Sequence, residues 1–162
     1  MVGWGFYKRW AISANDLFRI LIKVWKCKRQ GCGGYISIQP LFLLPYRQYT
    51  FTVIHQVLCA RLLDGQTLRA SWQRVMGEAR FAYQTVQHWV KALSVRCNFW
   101  SGIMQGEAGL LPVTGTMTGP ARMLAIMEQY LDPAGDEATR LARHGVLLNR
   151  YRGSPLCHRQ YP

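Results

Sequence analysis

"FTVIHQVLCARLLDGQTLRASWQRVMGEARFAYQTVQHWVKAL", residues 51–93, contains three runs of helical periodicity in close succession. In the first, Ile54, Val57, Leu58 and Leu62 line one stripe, with Thr50 ahead of it as an N-cap and Gly65 behind it as a stop. In the second, Leu68, Trp72, Val75 and Met76 share one face, Thr67 offers the cap and Gly77 the end. In the third, Val86, Trp89, Val90 and Leu93 recur at the same spacing, while Gln84, Gln87, His88 and Lys91 recur on another side. The spacing predicts helices over 51–64, 67–76 and 83–95.

Outward from this segment the signals change. Residues 17–39, "LFRILIKVWKCKRQGCGGYISIQ", read as a β-hairpin. Ile20, Ile22 and Val24 alternate with Leu21, Lys23 and Trp25, "CKRQGCGG" supplies the turn, and "YISI" returns before Pro40. Residues 1–16 fit neither period and are expected to be irregular, although Trp4, Phe6, Tyr7 and Trp10 offer packing surface. The connector "PLFLLPYRQYT" carries four bulky apolar residues between Pro40 and Pro45 that call for burial.

Downstream, residues 101–120 are rich in Gly, Thr and Pro and read as a linker. Residues 120–131 predict a short helix with Pro120 at its start and Leu124, Met127 and Leu131 on one face. Asp136 and Glu137 mark another helix start, and the basic tail 149–162 is expected to be loose. The expected fold class is therefore mainly α, a helix-turn-helix-like three-helix core with a small N-terminal β-hairpin. The expected division is 1–49, a hairpin region; 50–100, the three helices; and 101–162, a linker and helical tail.

The charge narrows the function. The chain has 162 residues with 20 Lys+Arg against 8 Asp+Glu, formally +12, and 15 of the 20 cations are Arg. Guanidinium pairs bidentately with phosphates and base edges, so an anionic polymer is the expected partner. Duplex DNA is the first expectation, and RNA shares the charge argument. No run approaches the roughly 18 apolar residues of a membrane span, and no long basic amphipathic helix is present to lie on a membrane. The N-terminus lacks a signal-peptide pattern, which places the expected site of action in the cytoplasm, with the nucleoid.

Glutamine amides bond adenine edges bidentately, and lysine bonds guanine or phosphate, so Gln84, Gln87, His88 and Lys91 are the expected base-reading groups. Arg69, Arg74 and Arg80 flank them as phosphate contacts. A solvated polar face is the alternative, and the turn from Gly77 to Tyr83 is longer than the three or four residues of the compact motif.

"QTLRASWQRVMGEARFAYQTVQHWVKAL" resembles the helix-turn-helix arm of insertion-sequence transposases, on Thr85, Val86 and Trp89 of a T-V-x-x-W signature. "VWKCKRQGCGGYISIQPLFLLPYRQYT" is similar to a family of uncharacterised bacterial transposase-like proteins, most closely at residues 42–49. The resemblance spans residues 19–100 and implies a DNA-binding role. It also implies a zinc knuckle built from two cysteine pairs ahead of the helices. This chain supplies Cys27 and Cys32 alone, with four residues between them and no Cys or His before them, so zinc there would need further ligands. His55 and Cys59, spaced i, i+4, are the nearest other candidates.

The eight acidic residues do not suggest the three-carboxylate, two-metal arrangement of DNA cleavage, and no catalytic residue is expected. The reading is a DNA-binding, transposase-like or regulatory protein without its own catalytic domain. A decayed fragment or protein-interaction module is the alternative.

Overall fold

The computed structural model describes residues 1–44, 47–79, 81–109, 117, 119–131, 135–151 and 154–156. Three strands come first: β1 (Val2–Ile12), β2 (Leu17–Lys26) and β3 (Tyr35–Ile38). Six helices follow: α1 (Phe51–Leu62), α2 (Leu68–Met76), α3 (Tyr83–Ser94), α4 (Cys97–Ala108), α5 (Gly119–Leu131) and α6 (Glu137–Tyr151). The fold is mainly helical with a small antiparallel sheet of order β1-β2-β3.

The expected hairpin is β2 and β3, with Lys26 opposite Tyr35 and Cys27 N–H bonded to Gly34 O at 2.9 Å across the turn. Residues 1–16 depart from expectation, because Val2–Ile12 forms a full strand paired with β2. Two features hide it in the sequence. The register shifts between Gly3 and Gly5, so a single period of two does not run through the strand. Moreover, its large apolar residues lie mainly on the solvent side, Phe6 opposite Lys23 and Trp10 opposite Arg19, which defeats a rule that looks for apolar-in, polar-out alternation.

The other face of the sheet, with buried Ala11 and Ile22, meets the connector. Phe18 packs on Phe42, ring centroids 6.0 Å apart. Ile12 forms a parallel bridge with Tyr49, and the Arg9 guanidinium donates to Leu44 O at 2.6 Å, to Arg47 O and to Gln39 Oε1. A cation on the sheet thus caps backbone carbonyls of the connector, which places Leu43 and Leu44 inside, as the connector's composition required. Pro45 and Tyr46 of the same phrase lie outside the described residues.

Both threonine caps form as expected. Thr50 Oγ1 accepts from Val53 N–H at 3.4 Å and Thr67 Oγ1 from Ala70 N–H at 3.2 Å. At Gly77, φ is +59° with ψ −129°, a conformation that excludes a side chain and stops α2. The α1 helix is buried on a wider arc than its expected stripe: Phe51, Val53, His55 and Ala60 are covered as well as Ile54, Val57 and Leu58. The second central helix is α5, which buries Met123, Leu124, Ile126, Met127 and Leu131.

The expected linker at 101–120 is corrected through its first half. Residues 101–108 belong to α4, where Trp100 and Met104, four apart, are buried despite Gly102 and Gly106. The helix ends at Gly109 in the left-handed region. Residues 110–116 and 118 lie outside the described residues. The expected helix at 120–131 forms, and Asp136 caps α6 by accepting from Thr139 N–H at 2.7 Å. The expected loose tail is helical to Tyr151, and Ser154 and Leu156 are buried; residues 157–162 are outside the described residues. One apolar cluster joins Trp72 and Trp89 to Trp100, Met104, Met127, Leu147 and Leu156, so the core runs across the boundary expected at residue 100.

Candidate nucleic-acid interface

The third helix has one face fixed by packing. Val86, Trp89, Ala92 and Leu93 are buried, and Trp89 lies 6.3 Å from Trp72 between ring centroids. Tyr49 sets its ring edge-on to both, at 5.5 Å from Trp72 and 5.2 Å from Trp89. Trp72 Nε1–H in turn donates to Ala79 O at 3.0 Å, which ties down the turn after α2. This aromatic group, with Phe81 at its edge, holds α3 in a fixed rotation about its own axis.

Because the inward residues are fixed, the outward ones follow from 3.6 residues per turn. Gln84, Gln87, His88 and Lys91 are all exposed and lie on a single stripe. Gln87 Nε2–H donates to the hydroxyl of Tyr83 at 2.5 Å, so the stripe continues onto a phenol that is itself half exposed. Of the flanking cations, Arg69 is exposed on α2. Arg74 is exposed too, but it pairs with Asp64, so part of its charge is already answered. Arg80 lies outside the described residues.

The segment 50–100 holds six Lys+Arg and two acids, Asp64 and Glu78. Of the acids elsewhere, Glu107 pairs with Arg150 at 2.8 Å and with the Tyr151 hydroxyl, Glu128 with His55 at 2.8 Å and Arg140 at 2.9 Å, and Glu137 with Thr52. The three strands carry Lys8, Arg9, Arg19, Lys23 and Lys26 with no acid at all. The sequence reading missed this sheet surface, where exposed Phe6, Trp10, Leu17, Leu21, Ile36 and Ile38 alternate with cations. Arg19 sits 5.5 Å from the Trp10 ring centroid and Lys23 4.3 Å from that of Trp25.

Cys27 and Cys32 flank the β2–β3 turn. The Arg29 backbone N–H, and after it the Cys32 thiol, lower the Cys27 thiol below its ordinary range. Among the described residues no third metal-ligating side chain joins them, and a four-ligand zinc there needs two ligands beyond this pair. The one group of three such side chains among the described residues is His55, Cys59 and Glu128. His55 and Cys59 were visible together in the sequence as i, i+4 neighbours. Glu128 was not, because it comes from α5, far along the chain.

No helix among the described residues is long and apolar enough to cross a membrane. No protein-family model, curated protein or solved structure matches the chain.

Proposed function

We propose that the protein binds duplex DNA through α3, with α1–α3 acting as a helix-turn-helix-like unit of a transposase-like or regulatory protein. The observation that carries this reading is the stripe of Gln84, Gln87, His88 and Lys91, exposed together on a helix whose opposite face is locked into the core. From residue 84 to 91 a helix rises about 10 Å, the length of roughly three base steps, and the major groove admits one helix. The amides and the ammonium face base edges. Arg69 faces phosphates, and Arg74 does so once it is released from Asp64; Arg80 keeps the same role from its place in the sequence alone. The working compartment is then the one that holds DNA, at the nucleoid.

Binding to mixed genomic fragments, measured at 50 and 200 mM salt, tests this. If about six phosphates are neutralised, affinity falls about a thousandfold between the two. Gln87→Ala relaxes sequence preference by about 1–3 kcal/mol at one position. Arg69→Ala weakens all sequences alike and reduces the salt slope by about one. Affinity that is flat in salt and indifferent to both substitutions refutes the reading, and preference for structured RNA over duplex transfers it to RNA.

The outer face of the sheet favours a second reading, a protein-interaction module. Its exposed Phe6, Trp10, Leu21 and Ile38 beside Lys8, Arg19 and Lys23 suit a partner with an apolar centre and acidic rim. A chain that binds no nucleic acid but loses a protein partner on Trp10→Ala would decide for it.

A further inference from the structure

We propose that His55, Cys59 and Glu128 form a binding site for a divalent transition metal of the zinc class, clamping α1 to α5. The site is independent of the DNA reading. Each residue offers one ligand atom, and the three atoms lie within 4.8 Å of one another. They supply one nitrogen, one sulfur and one oxygen, the mixed set that zinc accepts.

The geometry is built from two helices. His55 and Cys59 lie one turn apart on α1 and therefore share a face. Their Nε2 and Sγ atoms are 3.6 Å apart. With zinc–nitrogen and zinc–sulfur bonds of about 2.0–2.3 Å, a tetrahedral edge between them measures roughly 3.5 Å. Glu128 reaches in from α5, its Oε1 2.8 Å from the same Nε2. That is a hydrogen-bond length, and opening it by about half an ångström gives the second edge.

The imidazole is oriented before any metal arrives. His55 is 3% exposed and its ring lies parallel to that of Phe51, centroids 5.5 Å apart and planes 6° from coplanar. Arg140 on α6 donates to Glu128 Oε1 at 2.9 Å and acts as a positioning residue for the carboxylate. A cavity of about 170 Å³, lined by His55, Gln56, Glu137 and Arg140 among others, opens beside the site. It provides an approach for the ion and room for a water as fourth ligand.

Loading exchanges protons for the metal: the Cys59 thiol loses its hydrogen to solvent, a sulfur–metal bond forms, and no electron changes hands. The proton that His55 Nε2 shares with Glu128 also leaves to solvent, with Nδ1 carrying the ring's remaining N–H, so that Nε2 turns its lone pair to the ion and bonds to the metal replace the His55–Glu128 hydrogen bond. In the metal-free protein, burial and then the nearby Glu128 charge push the Cys59 thiol up to about 12, so the thiol stays protonated until a cation displaces the proton.

Cobalt(II) titration of the full chain tests the site, because a thiolate–cobalt bond adds a charge-transfer absorption that nitrogen and oxygen ligands do not give. The expected result is one cobalt per chain with that band, in the wild type and equally in a Cys27→Ser, Cys32→Ser double variant. The band disappears in Cys59→Ser. Glu128→Gln, at the more exposed edge of the site, weakens cobalt binding by more than the roughly 10–100-fold that loss of a supporting residue costs. Circular dichroism verifies that each variant is folded. If Cys59→Ser does not fold, Glu128→Gln and the double variant decide alone. Absence of the band in the wild type, its loss in the double variant, or unchanged affinity in Glu128→Gln overturns the proposal.

Discussion

Trp89 and Trp10 are the same side chain in two regions of the molecule. Trp89 on α3 is 2% exposed, wedged against Trp72 and Tyr49; Trp10 on β1 is 47% exposed, with Arg19 beside its ring. The helical body has two central helices, α1 and α5, that bury apolar side chains over most of their circumference. The sheet has one face on the connector and one in solvent, and among the described residues its buried apolar side chains are Ala11 and Ile22 alone. Periodicity therefore reports different things in the two regions. On the helices it marks what is inside, and the polar stripe is a surface by default. On the sheet it marks two faces without saying which is covered.

The contrast can be broken most sharply by truncation. Trp89→Ala removes a fully packed indole between two aromatic neighbours and is expected to cost about 3–5 kcal/mol, read as a lower midpoint in urea unfolding. The DNA binding proposed for α3 should be lost in this variant only to the extent that α3 unfolds.

A smaller effect separates the body from the sheet by pH. His144 on α6 is buried, 2.9 Å from Ser154 Oγ and stacked on Phe51 at 4.1 Å. Burial, with His55 nearby, lowers it from 6.5 to about 3. The unfolded chain takes up a proton below pH 6.5 that the folded one refuses. Stability is therefore fully present above 6.5 and falls on acidification by up to about 1.4 kcal/mol per pH unit, toward pH 3. Glu128, lowered first by its hydrogen bond from His55, adds to the loss only as pH falls below the ordinary carboxylate range. Unfolding free energies at pH 7 and pH 5 check this, and His144→Gln should flatten the difference. A wild-type chain equally stable at both values would show that His144 is not held neutral in the core.

The smallest effect sharpens the comparison from the other side. Trp10→Ala should change stability by no more than about 0.5 kcal/mol, as surface substitutions do. A loss close to that of Trp89→Ala would mean that the outer sheet face is covered in solution.

Much of the helical fold was legible from local chemistry. The stripes Ile54–Val57–Leu58 and Val86–Trp89–Leu93, the caps Thr50 and Thr67, and the stop at Gly77 each act within a turn or two, so sequence spacing contains them. The exposed stripe of α3 followed as the complement of its buried one. Strand β1 escaped because the Gly3/Gly5 bulge interrupts its period and its aromatics face outward. The α4 helix escaped because Gly102 and Gly106 outweigh, on propensity, a Trp100–Met104 pair whose value comes only from burial against the core.

By itself the sequence determined where the helices of residues 51–94 begin and end, which of their faces is apolar, and the large positive charge, since these depend on neighbours within about four residues or on composition alone. Only the tertiary structure decided that α4–α6 complete the same core, that Arg74 answers Asp64, that one sheet face stays open, and that Glu128 meets His55 and Cys59. Those pairings join atoms far apart along the chain, and their partners are chosen by how helices pack around a shared interior rather than by anything a local window contains.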